Sequence, residues 1–244
     1  MSAPTPPVPA SSWRRRAWLG YLFGLHALCA VLVWKTNFLP LLRFHLGWAP
    51  AHENPYVSEM VLFQGRMDHN VPDGTTVFLG DSLTQGLASV AVEPRSVNYG
   101  IGGQTTRQMI EALPSYGSLP RARAIVLMIG INDVMHGQAE GLEARYQRIL
   151  AGLPAQVPLY WHGLMPAGRR QSVPLPELQA INARIQALCA RRAQCTYVDP
   201  WPWMVDAQGH MRAPLYLGDF LHLSPQGYDA WIGGLKAVLA RRPA

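Results

Sequence analysis

A chain of 244 residues is long enough for one α/β domain with a sizeable core and an appendage. Only 15% of its residues are charged and 49% are hydrophobic, against about 25% charged in ordinary soluble domains, which points to a membrane segment. The net charge of +6 comes largely from dispersed arginines and short clusters. No basic stripe interleaved with aromatics is present, so nucleic acid is not an expected partner.

Residues 1–12 carry Pro4, Pro6, Pro7 and Pro9 among Ser, Ala and Thr and read as a disordered cytoplasmic tail. Arg14, Arg15 and Arg16 then precede Ala17–Trp34, 18 residues in which only His26 is of a type that titrates near neutral pH. That length just crosses a bilayer. Trp13, Trp18 and Trp34 stand near its ends, where aromatic rings favour the interface, and the arginines put the N-terminus inside. Leu28, two residues before Ala30, spoils a small-x-small cleavage site. Residues 13–35 therefore read as an uncleaved signal anchor with membrane contact through residues 17–34. Residues 36–73 form a juxtamembrane segment and a lead-in helix, which Asn54-Pro55 starts as cap and first-turn proline. The main domain is expected over 74–244.

From Thr75 the chain alternates regularly. Strands are predicted at Thr75–Leu79, Ser96–Tyr99, Ala124–Ile129, Val157–Trp161 and Cys195–Val198. Helical patterns cover Thr105–Leu113, Gly141–Leu153, Leu175–Arg192 and Ser224–Arg241. Strands alternating with helices predict βαβ units. The expected fold is α/β: a three-layer α/β/α sandwich on a five-stranded parallel, flavodoxin-like sheet, preceded by one N-terminal transmembrane helix.

Four strand-end or helix-start segments carry unusual residues: Gly80-Asp81-Ser82-Leu83; Asn98-Tyr99-Gly100-Ile101-Gly102-Gly103-Gln104-Thr105-Thr106; Gly130-Ile131-Asn132-Asp133; and Asp219-Phe220-Leu221-His222-Leu223-Ser224. A parallel sheet gathers such loops at its carboxyl edge. A serine, a glycine loop with free N–H groups, a side-chain amide and an Asp–His pair suit acyl transfer. Each also has a plainer reading. Asp81 or Ser82 can cap a helix, the glycine loop can cradle an anion, and Asn132 can be a turn residue. Asp133 and His136 repeat the three-residue spacing of Asp219 and His222, so spacing alone does not choose between the pairs. Trp161, His162, Trp201 and Trp203 read equally as pocket lining or as core. The cysteines show no zinc spacing. Cys189 and Cys195 could pair in an oxidising compartment, but spacing does not decide it.

The four blocks in this order resemble the SGNH hydrolases, the GDSL esterase/lipase family, over roughly Val77 to Trp231. The Gly-Ile-Gly-Gly stretch resembles the branch containing platelet-activating-factor acetylhydrolase catalytic subunits and bacterial acyl esterases. Gln104 stands where that family commonly has Asp, and Phe220 where it commonly has Gly. The resemblance implies Ser82 as nucleophile, His222 as general base and Asp219 as its orienting acid. It further implies an oxyanion hole from the Ser82 and Gly103 N–H groups and the Asn132 amide, with no metal or organic cofactor. The expected function is a membrane-anchored serine esterase acting on short-acyl or acetyl esters of a lipid or glycan. It is placed as a single-pass protein of a bacterial inner membrane with an extracytoplasmic catalytic domain. An O-acyltransferase acting on a cell-envelope glycan with the same triad is the alternative, and a catalytically idle binding module is disfavoured by the complete residue set.

Overall fold

The computed structural model describes residues 12–36, 38–48, 54–167, 173–207, 209 and 211–241. Apart from Ser12, the tail expected at residues 1–12 lies outside them. The chain divides into two compact units, Met1–Pro50 and Ala51–Ala244.

In the first unit, α1 (Ser12–Lys35) is followed by α2 (Phe38–His45). The stretch Trp13–Lys35 is long and apolar enough to cross a membrane. At 1.5 Å per residue it reaches about 35 Å, against a hydrocarbon core of about 30 Å. His26, in its interior, has its ring Nδ1 2.6 Å from the Leu22 carbonyl, one helical turn back.

The second unit is built on five parallel strands: β1 (Thr76–Gly80), β2 (Ser96–Gly100), β3 (Ala124–Met128), β4 (Leu159–His162) and β5 (Cys195–Val198). Their order is β2-β1-β3-β4-β5, the doubly wound order whose crevice opens where the winding reverses, between β1 and β3. All five predicted strands are present, with ends shifted by one or two residues. The fourth starts at Leu159 rather than Val157 because Pro158 has no N–H to donate; its carbonyl still accepts from Ile125 N at 2.9 Å.

Both faces of the sheet are covered, which is why the central strands are continuous apolar runs. Val77, Leu79, Ile125, Leu127 and Trp161 pack on one face against α6 (Thr106–Ala112), α8 (Leu142–Gly152) and α9 (Leu175–Ala190). Phe78, Val126, Met128 and Tyr160 face the other way, onto Trp231 and Leu235 of α11 (Pro225–Ala240) and Met204 of α10 (Trp201–Met204). Removal of each such side chain from water contributes roughly 1.5–3 kcal/mol. Trp161 and His162 are core residues, both fully buried. Trp231 Nε1 donates to His162 Nε2 at 2.9 Å, so the ring is neutral and its Nδ1–H donates to Gly163 O at 2.6 Å. Burial pushes the His162 ring down to about 4. Trp201 and Trp203 are partly buried against the two core clusters.

The lead-in helix α3 (Pro55–Asp68) starts at Asn54, whose side chain accepts from Tyr56 N at 3.1 Å. Its far end is tied into the sheet unit through a buried carboxylate. Asp68 accepts from Tyr99 Oη at 2.9 Å, from Ser118 N at 2.8 Å and from the Ser118 hydroxyl. Gln64, one turn earlier, accepts from Tyr116 Oη at 2.6 Å. Cys189 and Cys195 form a disulfide that joins the end of α9 to the start of β5.

Candidate active site

The carboxyl end of β1 turns sharply into α4 (Ser82–Gln85). Gly80 makes the turn possible: a Cβ there would lie 2.5 Å from Met128 O and overlap the Thr84 hydroxyl. Asp81 caps the helix, with Oδ1 accepting from Leu83 N at 3.0 Å, and Ser82 is left partly exposed at the sheet edge. Asp81 is fully buried, and its Oδ2 has no partner among the described residues. Burial pushes its carboxyl up to about 7, against the lowering effect of the Leu83 N–H and of His222.

The fourth block arrives from the other end of the chain. Asp219 Oδ1 accepts from Leu221 N at 3.1 Å and His222 N at 3.0 Å, closing a tight turn. Phe220 sits at its apex with φ +56°, a left-handed conformation that favours glycine. The turn leaves Asp219 Oδ2 2.5 Å from His222 Nδ1 and His222 Nε2 3.0 Å from Ser82 Oγ. Burial alone would raise the Asp219 carboxyl, but the bonds from the His222 ring and from the Leu221 and His222 backbone outweigh it and hold it below the ordinary value. An ionised carboxylate only accepts hydrogen bonds. His222 Nδ1 therefore carries the proton, and Nε2 accepts from the Ser82 hydroxyl.

The glycine loop after β2 lies beside Ser82: a Cβ on Gly102 would sit 3.9 Å from Ser82 Cβ. Gly103 adopts φ +74°, and its N–H donates to nothing among the described residues. In α7 (Ile131–Met135), Asn132 is buried, and its Nδ2 donates to Gln104 O at 2.9 Å. The third block is thereby tied to the residue following Gly103. One amide hydrogen is used in that bond and the second is available to a ligand.

The model of the GDSL-like Lipase/Acylhydrolase family matches residues 78–230, a span that holds all four blocks. The chain belongs to that family. It is 29% identical over 164 residues to the human platelet-activating factor acetylhydrolase IB subunit alpha2, covering 62% of this chain and 70% of the relative. Its fold is similar to that of a Streptococcus pneumonia protein described as a platelet activating factor (TM-score 0.67, 22% identity, 82% of this chain and 98% of that one). An acetyl xylan esterase from Geobacillus stearothermophilus has the same fold (TM-score 0.58, 18% identity, 70% and 96% covered). As a GDSL acylhydrolase, the protein is an ester-bond hydrolase.

In this GDSL hydrolase the second Asp–His pair is not a pair. Asp133 is buried and accepts from Thr106 N at 2.9 Å and Thr106 Oγ1 at 2.6 Å, with Arg145 Nη2 3.5 Å away. Burial raises its carboxyl, while the Thr106 bonds and Arg145 act in the opposite sense. His136 bonds instead to the Asn132 carbonyl, Nδ1 to O 2.5 Å. Asp133 thus clamps α7 to the start of α6, which fixes Asn132 and the exit of the glycine loop together. Several contributors stand outside the residues to which the motifs assign a role. Asn98 Nδ2 donates to Thr84 O at 2.6 Å and Leu87 O at 2.8 Å, binding the end of α4 to β2. Asn54, Tyr56 and Gln85 also reach the glycine loop. An Asn at a strand centre or a Tyr in a helix's first turn is too common a placement to mark a site by itself.

Proposed function

We propose that Ser82, His222 and Asp219 are the catalytic triad of this hydrolase, and that the Ser82 N–H, the Gly103 N–H and the Asn132 side-chain amide hold the oxyanion. The observation that carries this reading is the continuous hydrogen-bonded chain from Asp219 Oδ2 through the His222 ring to Ser82 Oγ, at 2.5 and 3.0 Å. Ser82 Oγ attacks the ester carbonyl and its proton passes to His222 Nε2. The carbonyl oxygen becomes an anion held by the three donors. Collapse expels the alcohol, which takes the proton from Nε2. Water repeats the sequence on the acyl-enzyme, releasing the carboxylic acid and restoring the serine. Asp219, already ionised, keeps the imidazole in the productive tautomer and stabilises it when it becomes charged.

The substrate we assign is a short-acyl or acetyl ester of a lipid or glycan. The human relative is an acetylhydrolase by name, and the half-exposed triad, with Asp219 and His222 side chains each 40% accessible, suits a large alcohol that stays outside. Residues 13–35 serve as the membrane anchor, with Arg14–Arg16 on the cytoplasmic side and the hydrolase unit, which includes α3, outside, in a bacterial inner membrane. The Cys189–Cys195 disulfide supports an oxidising compartment for that unit.

One preparation tests these assignments. The full chain should sediment with membranes and resist alkaline extraction, and an organophosphonate should label Ser82 and abolish turnover. Hydrolysis of p-nitrophenyl esters should fall as the acyl chain lengthens from acetate. Labelling at another residue, or acyl groups recovered on sugar hydroxyls rather than in water, would contradict the reading; the second outcome would make it a transferase.

A further inference from the structure

We propose that Gln85 and Tyr56 are positioning residues for the oxyanion loop: Tyr56 holds the Gln85 amide, and Gln85 holds the Gly102 N–H so that the next N–H, on Gly103, faces the carbonyl oxygen that becomes the oxyanion. The proposal rests on the reading of Gly103 as an oxyanion donor. A loop with glycines at 100, 102 and 103 has no intrinsic preference for one orientation of its peptides. An oxyanion hole, however, stabilises charge only when its donors are fixed beforehand. Something must therefore hold this loop.

Its backbone bonds identify what does. Ile101 N donates to Gly80 O at 2.9 Å and Gln104 N to Ile101 O at 3.1 Å. Gly102 N, between them, donates to Gln85 Oε1 at 2.6 Å. Gln85 Nε2 in turn donates to Tyr56 Oη at 2.6 Å, which anchors the far end of the amide, while the Gly102 N–H, a donor only, selects the oxygen end for the loop. With the amide reversed, its NH₂ would confront the Gly102 N–H. The loop is enclosed as well as bonded. A Cβ on Gly102 would come within 2.9 Å of Gln85 Oε1, and one on Gly103 within 2.9 Å of Asn54 Nδ2. Asn54 caps α3 and Tyr56 lies in its first turn, and the helix's other end is held through buried Asp68. The relay thus runs from a rigid helix to the peptide preceding the oxyanion donor.

Tyr56 is 41% exposed and Gln85 is exposed, and exposed hydrogen bonds add little to stability. The relay should accordingly be felt in turnover rather than in folding. The experiment uses the full chain in detergent with p-nitrophenyl acetate, reading kcat, KM and the thermal midpoint. Gln85→Met keeps the length and removes the acceptor. We expect kcat to fall about ten-fold or more, short of the 10²–10³ for complete loss of a donor, with KM and the midpoint close to the parent. Gln85→Glu should recover most of the loss, because a carboxylate accepts from Gly102 N–H while the Tyr56 hydroxyl rotates to donate. Tyr56→Phe should lower kcat in the same sense and by less, and it decides the matter if Gln85→Met does not fold. Asn132→Ala is measured in parallel. Parental kcat in Gln85→Met and Tyr56→Phe beside a large loss in Asn132→Ala would overturn the relay and leave the oxyanion assignment standing. Parental kcat in Asn132→Ala as well would overturn both. A rise in KM at constant kcat, or a fallen midpoint at constant kcat, would assign Gln85 to substrate binding or to structure and equally overturn the proposal.

Discussion

His222 Nε2 lies 3.0 Å from Ser82 Oγ although 140 residues separate the two in the chain. The contact exists because the loop after β1 and the turn before α11 meet at one edge of the sheet. If it is catalytic, Ser82→Ala and His222→Ala should each reduce ester hydrolysis by about 10⁴-fold or more, with folding intact by circular dichroism. His136→Ala should retain activity close to the parent, since that ring bonds a backbone carbonyl and no carboxylate. Parental activity in His222→Ala would remove the triad assignment.

Asp133 and Asp219 have the same spacing to a following histidine and opposite surroundings: Asp133 is 1% exposed, whereas the Asp219 side chain is 40% exposed. Removing Asp133 strands the buried Thr106 N–H and hydroxyl hydrogen and takes the counter-charge from Arg145, whose bonds to Thr106 Oγ1 and the Gln138 and Glu140 carbonyls remain. Asp133→Ala should therefore cost roughly 3–5 kcal/mol in unfolding free energy, measured by urea titration. Activity should fall too, since Asn132 loses its mooring. A cost below about 1 kcal/mol, the range of an exposed pair, would show that the clamp carries no weight.

The fold was legible because its strands are doubly covered. Val77 and Leu79 face one core cluster and Phe78 the other, so the run is apolar throughout and stops at Gly80. The family's four blocks were legible because each is local, a few residues at one strand end or turn. What the sequence did not disclose depends on separation in the chain. Tyr56 meets Gln85 across 29 residues and Ser118 meets Asp68 across 50, and no periodicity reports such pairs. The choice between Asp133 and Asp219 is of the same kind. Spacing is identical, and only burial and the long-range partner Thr106 distinguish them. Trp161 and His162 were ambiguous for a related reason, because an aromatic next to a histidine at a strand end fits a pocket or a core equally well.

The disulfide closes a loop of sequence separation 6. Restricting so short a loop in the unfolded chain contributes about 2 kcal/mol on the chain-entropy account. For a unit of this size that corresponds to roughly 4–8 °C. Joint replacement Cys189→Ala and Cys195→Ala should lower the thermal midpoint by that amount, and reduction with dithiothreitol should lower the parent's midpoint similarly while leaving the variant's unmoved. Since Ser82 lies on a different loop, kcat should not change. Equal midpoints for parent and variant would mean that the bond contributes no stability.

Buried Asp81 makes a separate prediction about pH. Its carboxyl is raised from 3.8 to about 7 by burial, so the folded state prefers the protonated form. Below 3.8 both states are protonated and Asp81 costs nothing. Between 3.8 and about 7 the unfolded chain ionises first and stability is progressively lost; above about 7 the loss is complete and constant. His162 acts in the opposite direction. Burial lowers its ring from 6.5 to about 4, so its contribution is present above 6.5 and lost as the pH falls through about 4. In the parent the two slopes oppose each other over one window, and the stability profile should be shallow there. Asp81→Asn keeps the acceptor for Leu83 N and replaces the unpartnered Oδ2 with an uncharged NH₂. It should be more stable than the parent at pH 8, by an amount on the order of a few kcal/mol, and no more stable at pH 4. Its own profile should fall more steeply than the parent's on acidification from 6.5, as His162 is then opposed only by the raised carboxyl of Asp133. Thermal unfolding of both proteins at pH 4, 6 and 8 checks this, and an equal or lower midpoint for Asp81→Asn at pH 8 would show that the Asp81 carboxylate is not penalised in the fold.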